Sequence, residues 1–271
     1  MRMVVKIAGA LLDDPKALRS LGRQIAQLAQ NGHELLVVHG GGKIFTATLK
    51  RMGIESRFVN GLRITDRDTR DAAVMVLGGL LNKRMAAAVS ASGQPAIGLC
   101  ASDASCFLAE PMQHDEVVGA LGFVGYLTGV NLEFLESLWR VGIVPVASCL
   151  GLGADGELYN INADHMAAAC AEYVHADRLI YMTDVAGVLD GSKVLKAVSC
   201  GDVEDLIRHN KVSGGMILKL EACKRALAAG VKQVRIVGGA SESGLLSAAN
   251  GQKGPGTRVT SGYPAAAGVG S

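Results

Sequence analysis

The sequence predicts an α/β protein of three layers: an αβα sandwich with an open, mainly parallel central sheet and a small hairpin outside that sheet. Two observations carry this. Short β-branched apolar runs alternate with amphipathic stretches of helical period along most of the 271 residues. Glycine-rich turns also fall where a run of the first kind passes into one of the second. Composition agrees, with 49% apolar residues, only 4% aromatic and 35 glycines, a mix suited to a sheet of Val, Ile and Leu covered by helices.

The runs "MVVKIA", "ELLVVH", "PAIGL", "GIVPVAS", "RLIYMT" and "KQVRIVG" read as buried strands. Between the first two, "DDPKALRSLGRQIAQLAQNG" is a helix with Asp13 or Asp14 as its cap, Pro15 in its first turn and Gly32 just past its end. From Arg67, "RDTRDAAVMVLGGLLNKRMAAAVSAS" is a long helical segment with an apolar stripe too broad for the surface helix of a monomer. "SCFLAEPM" and "GALGFVGYLTGV" look like hairpin strands standing outside the main sheet. One continuous domain over 1–260 is expected, with the small, uncharged stretch from Ser261 to Ser271 as a disordered tail.

Charge and cysteine usage narrow the function. A net charge of +2 without a basic block speaks against a nucleic-acid surface. The six cysteines never form C-x-x-C and mostly sit in apolar segments, which points to buried thiols rather than zinc or a disulfide framework. No protein-held metal is expected. The N-terminal apolar stretch is short and contains Lys6, so it reads as a strand and not a signal peptide. No apolar run approaches the ~20 residues of a membrane span, and a cytoplasmic protein is expected.

The stretch "LLVVHGGGKIFTATLKRMG" poses the central question. A strand ends at His39, three glycines follow, and a helix begins. Glycines at such a junction let backbone N–H groups approach an anion with no Cβ in the way, which makes Gly41 and Gly42 candidates for an anion cradle. The spacing is not that of the Walker loop, although Lys43 follows the glycines. "GLGADG" matches G-x-G-x-x-G, but "ELYNI" follows it as the return arm of a hairpin turning at Asp155-Gly156, so a dinucleotide site is set aside. Lys6 lies inside a buried strand, where a lysine is costly unless it has a partner or a ligand. In "NINADHMAAACAE", Asn162 caps a helix with Asp164 in its first turn, and in "SGGMILKLEACKRALAAG" Lys219 lies one turn into a helix opened by glycines. Each is ordinary alone. Together they indicate a site that handles phosphates.

The segments "KIAGALL", "VVHGGGK", "NGLRITD", "LNKRM", "LGFVG", "NINAD", "TDVAGVLDG", "SGGMILKLEA" and "GTRV" occur in an order that resembles the amino acid kinase family, and within it the acetylglutamate branch. The resemblance implies an N-lobe of about 1–175 for acetylglutamate and a C-lobe of about 176–260 for ATP, with Mg2+ carried by the nucleotide. It implies transfer of the γ-phosphoryl group of ATP to the side-chain carboxylate of N-acetyl-L-glutamate, an early step of arginine biosynthesis. By the family's motifs, Gly41, Gly42, Arg63 and Asn160 hold acetylglutamate. Lys6 and Lys219 stabilise the transferring phosphoryl group, and Asp164 organises the two lysines. Gly9, the loop of Thr183, Asp184, Val185, Gly187 and Val188, and Gly214 with Met216 hold the nucleotide. A carboxylate nucleophile is already ionised, so no general base is needed and His39 is expected to be structural. The hairpin around "LGFVG" is expected to close over the substrate as a lid.

One position departs from the family, which has two glycines after the strand lysine where this chain has Ala8-Gly9. If the first glycine requires positive φ or a close phosphate approach, an alanine methyl is unwelcome; if only Gly9 has that role, Ala8 is harmless. Two alternatives stand beside the acetylglutamate reaction: a kinase of acetylated aminoadipate or carrier-linked glutamate, and a non-catalytic sensor on the same fold. Arginine-inhibited members carry an N-terminal helix ahead of the first strand, whereas here that strand begins almost at Met1. A C2 homodimer insensitive to arginine, paired through the helix from Arg67, is therefore expected.

Overall fold

The computed structural model describes residues 1–112, 121–239, 241–251 and 254–262. The chain begins with β1 (Arg2–Ile7), a helical turn α1 (Gly9–Leu12), α2 (Pro15–Gln30), β2 (Glu34–His39) and α3 (Gly42–Arg51). A hairpin of β3 (Phe58–Val59) and β4 (Leu62–Arg63) leads into α4 (Arg67–Ala73), which continues through a π-helical stretch (Val74–Leu81) into α5 (Asn82–Ser90). Then come β5 (Ala96–Leu99), β6 (Phe107–Pro111), β7 (Gly125–Val130), α6 (Leu132–Arg140), β8 (Val144–Ser148), β9 (Leu150–Leu152), β10 (Leu158–Asn160) and α7 (Ala163–Tyr173). The remaining elements are β11 (Arg178–Thr183), β12 (Leu189–Asp190), β13 (Lys193–Val194), β14 (Ala197–Ser199), α8 (Cys200–Arg208), α9 (Gly215–Ala228), β15 (Gln233–Gly238), α10 (Gly244–Asn250) and β16 (Thr257–Thr260).

Eight strands form the central sheet in the order β14-β16-β15-β11-β1-β2-β8-β5. Every neighbouring pair is parallel except β15 and β16. All six runs expected as strands lie in this sheet. Helices α2, α5 and α10 pack together on one face, and α7 and α9 on the other. The second sheet joins four strands in the order β10-β9-β6-β7. It therefore unites the expected outer hairpin with the one that turns at Asp155-Gly156. The tip of the outer hairpin, at 113–120, and the expected tail from 263 onward lie outside the described residues.

Alternation along β1 explains how the site is aimed. Arg2, Val4 and Lys6 share one face because successive side chains of a strand point opposite ways. That face lies along α7. Arg2 donates to the carbonyl of Val174 at the C-terminal end of α7 (2.8 Å), while Lys6 meets Asp164 in its first turn (2.7 Å). A cation thus sits at the negative end of the helix dipole and a carboxylate at the positive end.

Helices α4 and α5 and the π-helical stretch between them form one continuous helix over Arg67–Ser90. It is long and apolar enough, with a mean hydropathy of 1.3 over its best window, to cross a membrane, and half of that window is buried inside the protein. The sequence reading found no such run because charged residues flank the apolar stretch at both ends. A core helix has the same composition as a membrane span.

Two glycine turns meet at the carboxyl ends of β1 and β2. A Cβ on Gly9 would lie 2.5 Å from the amide nitrogen of Gly42 and 2.8 Å from the carbonyl carbon of Gly41. Gly42 itself has φ of +45°. By contrast Ala8 has φ of −66° and ψ of 140°, a conformation any residue adopts. Positive φ is therefore not what a glycine would supply at position 8, and the backbone contact belongs to Gly9. Gly9→Ala is expected to destabilise the protein by about 1–3 kcal/mol through backbone overpacking. Denaturant unfolding checks this, with Ala8→Gly as the control whose effect stays near ~0.4–1 kcal/mol.

Candidate active site

The carboxyl ends of β1, β2 and β8 and the N-terminus of α7 converge on a buried cluster of three charges. Asp164 Oδ1 accepts from Lys6 Nζ at 2.7 Å. Lys219 Nζ, from α9, donates to both Asp164 oxygens at 2.8 and 2.9 Å. All three residues are less than a tenth exposed. The Asn162 side chain caps α7 by accepting from the amides of Asp164 (2.9 Å) and His165 (3.2 Å), which sets the first turn and with it the Asp164 side chain. Tyr181 supports the cluster from β11. Its hydroxyl donates to the Asp164 carbonyl (3.2 Å), and Lys219 Nζ lies 5.1 Å from its ring centre.

Burial alone would raise the Asp164 pKa, but the two ammonium groups outweigh it and hold the carboxyl down at about 2. Lys219 lies below the ordinary lysine value because of burial and the like charge of Lys6, against the pull of Asp164. The group is thus an ionised carboxylate that spaces two lysines.

Next to the cluster opens a cleft of about 160 Å³, lined among others by Gly40, Gly41, Gly42, Phe45, Phe58, Arg63, Leu77, Asn160 and Asn162. Arg63 is carried by the β3–β4 hairpin, whose two-residue turn is Asn60-Gly61 with φ of +49° and +79°, as a type I′ turn requires. Its guanidinium lies between two rings, 4.8 Å from Phe45 and 4.6 Å from Phe58. It donates to Ser56 Oγ (2.5 Å) and Thr46 Oγ1 (2.8 Å), and burial lowers its pKa. Asn160 ends β10 and donates through Nδ2 to Thr65 Oγ1 (3.2 Å). The four residues expected to hold substrate, Gly41, Gly42, Arg63 and Asn160, therefore line one cleft. It adjoins the charge cluster through the run Asn162-Ala163-Asp164.

The nucleotide candidates occupy separate elements. Gly9 packs on Gly42 as described. Thr183 ends β11 and its hydroxyl donates to Asp184 (3.2 Å), while Asp184 and Val185 are exposed. Gly187 is held at φ of +155° against Thr257, where a Cβ would fall 2.7 Å from Oγ1. Val188 is fully buried in the core and its amide donates to Thr257 Oγ1 (2.9 Å), so its side chain does not reach a surface. Gly214 caps α9 at φ of +54° with open space beside it, and Met216 lies half-buried in the first turn. His39 is fully buried, with Nε2 3.2 Å from Asn82 Nδ2. Burial pushes its pKa down to about 4, against a weak hydrogen bond to Gly40, so it is neutral at working pH.

Sequence reasoning missed Phe45, Phe58, Thr46 and Ser56 around Arg63, and Thr65, Tyr181 and the cleft role of Asn162. The Asn60-Gly61 pair between "RFV" and "LRIT" was a usable hairpin signal for the first group. No local pattern marks the others.

The sequence model of the amino acid kinase family matches residues 1–238, and the chain belongs to that family. The acetylglutamate kinase of Koribacter versatilis (strain Ellin345) is 52% identical over 240 residues, covering 88% of this chain and 90% of that protein. The acetylglutamate kinase of Acidobacterium capsulatum is 45% identical over 239 residues, with the same coverage of 88% and 90%. Among solved structures, the Streptococcus mutans UA159 protein smu.665 superposes with a TM-score of 0.81 at 28% identity, over 96% of this chain and 99% of that one.

The depressed Asp164 pKa links stability to pH. A carboxyl held below its ordinary value stabilises the folded state above that value and loses the contribution as pH falls through the folded one. The stability gap between wild type and Asp164→Asn is therefore expected to be flat from neutrality to about pH 4 and to close towards about pH 2. Denaturant unfolding at stepped pH measures it.

Proposed function

We propose that this protein transfers the γ-phosphoryl group of ATP to the side-chain carboxylate of N-acetyl-L-glutamate, giving N-acetyl-L-glutamyl 5-phosphate and ADP in arginine biosynthesis. The observation that carries the proposal is a cleft lined, among the described residues, by one arginine and no acidic residue, opening beside a buried pair of ammonium groups. Arg63 has N–H groups left beyond those given to Ser56 and Thr46, and its planar fork matches an α-carboxylate. Among the described residues a free α-ammonium group would find no carboxylate lining the cleft and would face Arg63, whereas an acylated nitrogen is neutral. The names of the relatives support the same substrate.

The chemistry is the meeting of two anions in line, and positioning with positive charge is what lowers its barrier. Gly41 and Gly42 hold the acceptor near the cluster. Lys6 and Lys219 meet the charge of the transferring phosphoryl group, and Asp164 keeps them apart and aimed. Gly9, the Thr183–Val188 loop with Asp184, Val185 and Gly187, and Gly214 with Met216 hold the nucleotide, so that about 1–175 serves the acyl amino acid and about 176–260 serves ATP. Magnesium comes with the phosphates. Asp164, the carboxylate of the cluster, has both oxygens bonded to lysines. Six free cysteines suit a reducing cytoplasm.

A coupled ADP-release assay with free and acetylated glutamate, aspartate and aminoadipate tests the reaction. Acetylglutamate is expected to be the substrate turned over and free glutamate not, with Lys219→Ala about 10²-fold slower in a folded protein. Absence of turnover with acetylglutamate overturns the proposal. The protein is further proposed to act as a C2 homodimer through the Arg67–Ser90 helix, on which Met75 and Leu80 remain 56% and 42% exposed. Light scattering is expected to give about 56 kDa, twice the 28.1 kDa chain, and a 28.1 kDa particle removes the dimer.

A further inference from the structure

Arg63 and Asn160 belong to different sheets, and Thr65 joins them. Thr65 is fully buried between β4 and α4. Its main chain is fixed independently of its side chain: its amide donates to the Leu121 carbonyl (3.0 Å) and its carbonyl accepts from the Phe123 amide (2.6 Å). The Phe123 carbonyl in turn accepts from the Asn160 amide (2.8 Å). Phe123 is held in this frame by the Arg70 guanidinium, 4.5 Å from its ring centre.

The Thr65 hydroxyl adds a directional constraint. It lies 2.9 Å from the Arg63 carbonyl and 3.2 Å from Asn160 Nδ2. A carbonyl only accepts, so the single hydroxyl proton goes to Arg63, and the hydroxyl oxygen is left able only to accept. The Asn160 atom facing it must then be the amide nitrogen, and Oδ1 is turned away without a donor among the described residues. We infer that Thr65 is a positioning residue for the acceptor substrate: its hydroxyl locks the Asn160 amide so that Oδ1 receives the N–H of an N-acylated amino acid. The inference rests on the cleft holding such a substrate, and it names the group that reads the acyl-amide hydrogen.

The test compares Thr65→Val, which keeps the shape and removes the hydroxyl, with Thr65→Ser, which keeps the hydroxyl. KM for N-acetyl-L-glutamate, KM for ATP, kcat and thermal midpoint are measured for each. Thr65→Val is expected to raise the acetylglutamate KM about tenfold, as for loss of one oriented hydrogen bond, with the ATP KM unchanged. Thr65→Ser stays within about threefold of wild type. If Thr65→Val does not fold, Thr65→Ala, which removes the hydroxyl without adding an apolar methyl, carries the same expectation. An active wild type whose hydroxyl-lacking variants keep the wild-type KM, or raise both KM values alike, overturns the role of Thr65 alone. A wild type inactive on acetylglutamate overturns the reading of the cleft and this inference with it.

Discussion

Two buried ammonium groups within hydrogen-bonding distance of one buried carboxylate organise this molecule. Removing a carboxylate and two ammonium groups from water is expensive, and their mutual attraction offsets that only when the geometry is tight. Here the geometry is drawn from three distant parts of the chain: the end of β1, the first turn of α7 and the second turn of α9. Each must be in place before the others are tolerable. The cluster therefore couples the central sheet to both helices of one layer. On the phosphoryl-transfer role proposed for it, stability and function draw on the same contacts, as expected where a charged group sits buried with no alternative partner.

The glycine turns solve the complementary problem of access. For the lysines to approach a phosphate, as proposed, the backbone between β1 and α1, and between β2 and α3, must stay out of the way. Gly9 and Gly42 achieve this by lying against each other, backbone to backbone. The cleft proposed to hold the acceptor opens on one side of that contact. Its walls set Phe45, Phe58 and Leu77 beside the polar groups of Arg63, Asn160 and Asn162, so that discrimination on this proposal falls to those three.

Legibility in the sequence followed the range of the interaction that made each feature. The six expected sheet strands and the caps Asn162 and Asp14 are local consequences of residue pattern, and they were readable. Strand β14 is only three residues long, too short for periodicity to declare it, and β16, with the sequence TRVT, alternates with polar residues rather than forming an apolar run, while its reversal against β15 leaves no local mark. Lys6 stood out as a charge inside a buried strand, whereas Asp164 in a first turn and Lys219 on a helix were ordinary alone; their union depends on sheet order, and resemblance to a family supplied what pattern could not. The rings around Arg63 and the hydroxyl beneath Asn160 come from opposite sides of a hairpin or from another sheet, where nothing in the flanking residues points to them. At Ala8 the family pattern raised a question of backbone conformation, and the dihedral angles answer that part of it.

The π-helical stretch inside the Arg67–Ser90 helix has a consequence for how related chains line up. Each wide turn takes up more residues than an α-turn, and one surplus residue rotates everything downstream by about 100° at 3.6 residues per turn. Upstream, Arg70 faces Phe123; within the stretch, Leu77 lines the cleft; downstream, Asn82 donates to the carbonyl of Val146 under the central sheet. The two halves of this helix are thus read in different angular frames, and the stretch "VMVLGGLL" is the place where the frame changes. An insertion or deletion of one residue there would spare the helix and misdirect a whole face of it. Gaps between relatives in this segment are therefore not neutral spacers: they are changes of phase between the Arg63 cleft and the sheet.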